Sequence, residues 1–144
     1  MKLNKILIIS VITALFSLSS CSYNSNNIAE LSNDDGLVYF DYDSAELKSK
    51  YKRKLKNKVI SWSKANPNNN IVVEGHCDER GTYDYNKKLG YERAETVKNF
   101  LVNEGIDSSK IKIISYGESR PIAKGSDEDS WKLNRRAVTL SIYK

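Results

Sequence analysis

The apolar run Leu37-Val38-Tyr39-Phe40 is short, β-prone and ended by Asp41-Tyr42-Asp43-Ser44, which predicts a first strand over Leu37–Phe40. Behind it Leu47, Tyr51, Leu55, Val59 and Trp62 recur at three- and four-residue spacing until Asn66-Pro67 stops the pattern. Ser44 is a suitable N-cap with Glu46 soon after, so an amphipathic helix is expected there. Ile71-Val72-Val73-Glu74 predicts a second strand, followed by a polar, Gly-containing loop from Gly75 to Asp84. Leu89, Ala94, Val97, Phe100 and Leu101 then mark the inner side of a helix over Tyr85–Asn103, with Gly105 as its stop. Lys110–Tyr116 predicts a third strand. Gly117–Asp129, with Pro121 and Gly125, predicts a long loop. Ala137–Tyr143 alternates cleanly, with Val138, Leu140 and Ile142 on one face of a last strand.

Strands separated by helices, with one closing strand, imply an α+β fold of β-α-β-α-β-β order. Its four strands make a mixed sheet covered by helices on one side. A chain of 144 residues has room for one such domain.

The first twenty residues follow a different pattern. Met1-Lys2-Leu3-Asn4-Lys5 gives a basic start, Ile6–Leu18 an apolar centre, and small residues lead to Cys21, the layout of a secretory signal peptide over residues 1–20. The apolar run is interrupted by Ser10, Thr13 and Ser17 and falls short of the roughly 20 apolar residues a spanning helix needs. Leu18-Ser19-Ser20-Cys21 resembles a bacterial lipobox, which implies a lipidated Cys21 carrying N-palmitoyl and S-diacylglycerol groups. Several acyl chains, at about 0.8 kcal/mol per buried CH₂, would hold the protein on a membrane. Ser22 follows the Cys, where an Asp would favour the inner membrane in such lipoproteins, so an outer-membrane location is expected. Residues 21–36 are rich in Ser, Asn and Asp, with Ile28, Ala29 and Leu31 as isolated apolar residues, and read as a flexible tether reaching at most roughly 50 Å.

Charge and cysteine content narrow the partners. The formal charge is +5, and loss of Lys2 and Lys5 with the signal would leave about +3, so a nucleic-acid partner is not demanded. Beside Cys21 only Cys77 remains, so no intramolecular disulfide can form.

Two residues stand out for chemistry. Four-residue steps from Leu89 through Arg93 to Val97 and Leu101 put Arg93 on the apolar row of its helix. Either a partner neutralises it there or its stem snorkels past the core to water. Asp78 lies in Gly75-His76-Cys77-Asp78-Glu79-Arg80-Gly81-Thr82, between a strand and a helix, where α/β sheets commonly build sites. Taken alone, an Asp turn or a helix cap explains it better.

That segment, with Tyr85-Asn86, Leu89-Gly90 and Arg93-Ala94, resembles the OmpA-like domain family. So do Val38-Tyr39-Phe40-Asp41 before it and Ser115-Tyr116-Gly117, Pro121 and Asn134-Arg135-Arg136-Ala137-Val138 after it, and within the family the peptidoglycan-associated lipoproteins come nearest. The likeness covers residues 37–144. It implies non-covalent, non-enzymatic binding of the peptidoglycan stem peptide, chiefly its meso-diaminopimelate, with Asp78 and Arg93 as principal contacts. A guanidinium can hold a carboxylate with two parallel bonds, and an ionised Asp can accept from an ammonium. By the same likeness Phe40, Asp41, Arg80, Thr82 and Leu89 line the pocket. Partners would be the Tol proteins, including a TolB-like periplasmic β-propeller, in envelope constriction at cell division. Cys77 stands where the family more often has Ala or Thr, and reads as a buried small residue.

Other classes find less support. His76-Cys77-Asp78 suggests a thiol enzyme or metal site, yet neighbours in an extended segment point in alternating directions. Glu74, Asp78 and Glu79 give no sign of the separation a glycosidase pair needs. The lysines and arginine between Lys48 and Lys58 could serve a basic-surface binding module, but they also suit the solvated face of a half-buried helix.

Overall fold

The computed structural model describes residues 31–142. The expected signal peptide, Cys21 and most of the expected tether lie outside these residues, as does the end of the last strand.

Four strands form a single mixed sheet in the order β1-β4-β2-β3: β1 is Leu37–Tyr39, β2 Asn70–His76, β3 Ile111–Gly117 and β4 Arg136–Ile142. β4 runs antiparallel to both of its neighbours, and β2 pairs in parallel with β3. The first helical stretch comprises α1 (Ser49–Leu55), one π-helical segment (Lys56–Ile60) and α2 (Ser61–Ala65). Helix α3 (Tyr83–Asn103) makes the crossover between β2 and β3. Val38 and Ala137 of the sheet's inner face, with Ile71, Val73 and Ile111, form one core with Leu47, Leu55, Val59, Ile60 and Trp62 of the first stretch and with Ala94, Val97 and Leu101 of α3.

Gly75 and Gly90 set how closely α3 lies on the sheet. A Cβ on Gly75 would stand 1.8 Å from the Gly90 carbonyl oxygen, and one on Gly90 would stand 2.4 Å from Ser115 Oγ. The first contact is with backbone and leaves no room for a side chain at position 75; the second would force Ser115 Oγ off its hydrogen bond to Lys87 O.

The element order matches expectation with one addition and several shifts. A short helix, α4 (Glu128–Asn134), occupies part of the expected loop and links β3 to β4. Asp127 caps it by accepting from Ser130 N at 2.8 Å. At seven residues it is under two turns, too short to display a period. The first helix begins at Ser49, after Lys48 and not at Ser44; Ser44 Oγ accepts from Glu46 N within a turn. The π segment adds a residue to the turn, so that the adjacent residues Val59 and Ile60 are both buried. The packed part also starts earlier than hydropathy suggests. Leu31, assigned above to the tether, is buried in the core at 4% exposure, so residues 31–36 belong to the domain.

Val138, Leu140 and Ile142 do share a face, but it is the outer one, away from the helices. Ala137 and Thr139 are fully buried on the inner face, while Val138 and Leu140 are half-buried and Ile142 is exposed. Small inner residues are what a sheet pressed by α3 requires.

Candidate functional site

The loop after β2, the start of α3 and the loop after β1 meet at one end of the sheet. Their side chains surround a cleft of about 130 Å³. Of the residues singled out from the sequence, Asp78, Arg80, Leu89 and Arg93 line it, together with Tyr42, Asp43, Cys77, Tyr85, Asn86 and Arg135.

Asp78 is held from two sides. Its Oδ1 accepts from Arg80 N and Arg80 Nε, both at 3.1 Å, and its Oδ2 accepts from Arg80 Nη2 at 2.7 Å and Arg135 Nη1 at 3.3 Å. Burial alone would push this carboxyl upward, but the Arg80 and Arg135 hydrogen bonds outweigh it and keep the group below its ordinary value. Asp78 is therefore ionised at neutral pH. Four donors also fill the roughly four lone-pair directions of a carboxylate.

Arg93 is 1% exposed, so its stem does not snorkel to water. Its charge is met by backbone carbonyls: Nε donates to Ser44 O at 2.9 Å, Nη1 to His76 O at 2.8 Å and Nη2 to Asp41 O at 3.1 Å. Nη1 also reaches Cys77 Sγ at 3.4 Å, and the Phe40 ring lies 5.3 Å from the guanidinium carbon. Burial, the main influence, lowers its pKa, but a guanidinium stays charged. Four of its five N–H groups are thus engaged among the described residues. The two-bond grip on a carboxylate expected above requires trading one of them, and the thiol of Cys77 is the weakest acceptor of the set.

Arg135, not singled out from the sequence as a site residue, is the third cation. It is buried, with Nε donating to Phe40 O at 3.1 Å and its Nη atoms shared between Asp78 and Glu128. The chain end of β1 therefore positions two guanidinia at once, Arg135 through Phe40 and Arg93 through Asp41 and Ser44. Arg80 is sandwiched between the rings of Tyr42 and Trp131, at 4.2 and 4.0 Å. Asn86 on α3 donates to the carbonyls of Asp78 and Arg80 and to the Glu118 carboxylate, tying the loop to the helix.

The remaining expected residues act from further out. Phe40 is buried beneath Arg93 and faces a neighbouring groove, which Asp41 also lines. The Asp41 carboxylate pairs with Lys48 at 2.6 Å, so this residue serves the cleft through its carbonyl. Thr82 caps α3, accepting from Tyr85 N at 3.3 Å, and its side chain is exposed. Tyr42, Asp43 and Trp131 sit in irregular or very short segments, where no periodic signal marks a residue. Arg135 lay within a quoted motif, beside Arg136, with nothing in spacing to separate the two.

Cys77 is buried, its thiol donating to Asn86 O at 3.3 Å. Burial pushes this thiol up to about 11, which leaves it protonated and a poor nucleophile at neutral pH. His76 points away from it and stacks on Tyr116 at 5.4 Å between centroids. The adjacent triplet does not converge on one point.

In this half-enclosed cleft Asp78 is flanked by three guanidinia, and Asp43, whose carboxylate accepts from the Tyr85 hydroxyl, is a second acidic group on its wall. It can present opposite charges to the two ends of a zwitterion, and it holds no poised nucleophile.

Comparisons with known proteins agree with this architecture. The model of the OmpA family matches residues 39–135. The peptidoglycan-associated lipoprotein of Pseudomonas putida is 47% identical over 98 residues, 68% of this chain and 58% of its own length. That of Agrobacterium fabrum is 42% identical over 103 residues, 72% of this chain and 58% of its own length. The chain thus spans under three fifths of these curated relatives. The crystal structure of the peptidoglycan-associated lipoprotein from Burkholderia pseudomallei superposes with a TM-score of 0.71 at 38% identity, covering 74% of this chain and 89% of that one. The C-terminal domain of MotB from Helicobacter pylori shares the fold at 18% identity and a TM-score of 0.68, covering 75% of this chain and 84% of that one. With its sheet order, its cleft and these relatives taken together, this chain belongs to the OmpA family and is similar throughout that domain to peptidoglycan-associated lipoproteins.

Proposed function

We propose that this protein is a lipid-anchored, non-catalytic wall-binding protein that fastens the outer membrane to peptidoglycan. The carrying observation is the ionised Asp78 held beside buried Arg93 and Arg135 in one cleft. Such a cleft suits a residue bearing both carboxylate and ammonium, which in peptidoglycan is diaminopimelate of the stem peptide. The relatives' name supports the wall as ligand and the lipoprotein character. Lipidation of Cys21 with diacylglycerol and an N-palmitoyl chain rests on the lipobox resemblance, and export on the pattern of residues 1–20. A lipid at one end and the cleft at the other make a mechanical link without any reaction. Association with Tol proteins, including a periplasmic β-propeller, and a part in cell division are proposed on family likeness alone.

The test is co-sedimentation with purified sacculi, with free diaminopimelate as competitor, on wild type and on Asp78→Asn and Asp78→Ala variants whose circular dichroism is native. Wild type sediments and is displaced by the competitor, and the variants stay in solution. Folded variants that sediment like wild type would show that the site is elsewhere. Release of soluble muropeptides would instead reveal an enzyme.

A further inference from the structure

From Ser49 to Ala65 the first helical stretch carries seven lysines and arginines and no acidic residue. Four of them are met only partly or not at all. Lys52, Arg53 and Lys64 are exposed and form no ion pair among the described residues, and the Lys50 ammonium lies over the Tyr51 ring at 4.7 Å. The face turned from the core is therefore only partly compensated: among the described residues Lys54, Lys56 and Lys58 are paired with carboxylates, and the other four cations are not.

This face also adjoins the place where the chain from Cys21 joins the domain. Asp34 and Asp35, just after the first described residue Leu31, pair with Lys54 at 3.6 Å and Lys58 at 3.5 Å, and Lys54 Nζ donates to Leu37 O at 3.2 Å. The wall-binding cleft lies at the other end of β1, where Phe40 and Asp41 hold the two arginines. Only the nine residues Ser22–Glu30 separate Cys21 from Leu31. Nine residues reach at most about 30 Å at full extension. A domain of this size is roughly 35 Å across. With so short a link, the side that faces the membrane is the side the chain joins.

We propose that the basic outer face of the first helical stretch is a membrane-contact surface, resting on anionic lipid headgroups. The proposal rests on the lipid-anchored reading of Cys21. Cations within a Debye length of an anionic leaflet are attracted to it, and the link keeps this face within that range. Wall carboxylates are the alternative occupant, and the short link to Cys21 favours the lipid.

The experiment uses the full lipidated chain on vesicles of phosphatidylcholine alone or mixed with phosphatidylglycerol, with lysine acetylation read by mass spectrometry. Labelling of Lys50, Lys52 and Lys64 is expected to fall several-fold on the anionic vesicles relative to the neutral ones. Lys88 and Lys124, exposed elsewhere, keep their reactivity. High salt removes the protection, and so does the double variant Lys52→Glu/Arg53→Glu. Equal labelling on both vesicles overturns the proposal, as does protection that appears only when sacculi are added. A chain that fails to associate with the neutral vesicles overturns the anchor itself, and is a separate result.

Discussion

The guanidinium of Arg80 lies across the carboxylate of Asp78, with Nη2 2.7 Å from Oδ2 and Nε 3.1 Å from Oδ1. It fills the position that an ammonium from a ligand would take, while its own faces are covered by Tyr42 and Trp131. A cationic group can therefore reach Asp78 only by displacing Arg80 or sharing its oxygens.

Displacement should be visible in fluorescence, because the Arg80 guanidinium sits 4.0 Å over the Trp131 ring. Titration of wild type with a diaminopimelate-containing muropeptide is expected to change Trp131 emission. In Arg80→Ala the change should be absent even where binding, followed by calorimetry, persists. An unchanged Trp131 signal at saturation would mean that Arg80 stays in place.

Arg93 is a structural residue as well as a site residue. Arg93→Ala would leave the carbonyls of Ser44, His76 and Asp41 without their donor in a buried setting. A cost of about 3 kcal/mol is expected, readable as a lowered urea midpoint. Wall binding by this variant is informative only at temperatures where it remains folded. Arg80→Ala removes two of the four hydrogen bonds to the buried Asp78 carboxylate but leaves those from Arg80 N and Arg135, so a smaller cost of about 1–2 kcal/mol is expected.

His76 should make the domain sensitive to acid. Burial, reinforced by Arg136 and Arg120, pushes its pKa down to about 3, and Glu74 lies 3.7 Å from its Nε2. The unfolded chain binds a proton near pH 6.5 and the folded one does not until about 3. Stability is therefore lost as pH falls from about 6.5 toward 3, at up to about 1.4 kcal/mol per pH unit. Asp78, with a lowered pKa, adds a loss confined to pH below the ordinary carboxylate range. In thermal melts across this range, His76→Gln should flatten the slope between pH 6 and 4. A slope equal to wild type would exclude His76 as its source.

Cys77 should resist thiol reagents in the folded protein, since its thiol is buried and pushed up to about 11. Iodoacetamide at pH 8 is expected to label it only after denaturation. Labelling at the rate of a free thiol under native conditions would contradict the packing against Asn86 and Arg93.

Gly75 and Gly90 show where sequence reading stops. Both belong to the spaced motifs of the family, but the reason for them, the contact of β2 with α3, is a relation between segments that pattern along one chain does not express. The outer-face position of Val138 and Leu140 is a similar case. Alternation revealed that they share a side, and only the core that the helices build over Val38 and Ala137 decided which side is buried.

By itself the sequence determined the strands and long helices, because burial on one face imposes a period on the residues. It also marked Arg93, since a charge on an apolar row must be accounted for, and through spaced motifs it determined the family. Tertiary structure alone decided how Arg93 is satisfied, by three carbonyls from two distant segments, and it brought Arg135 to Asp78 across 57 positions of sequence. Such contacts carry no local periodicity. They arise where loop ends meet at one edge of a sheet, so the cleft could be expected near Asp78, but its full set of charges could be known only from the fold.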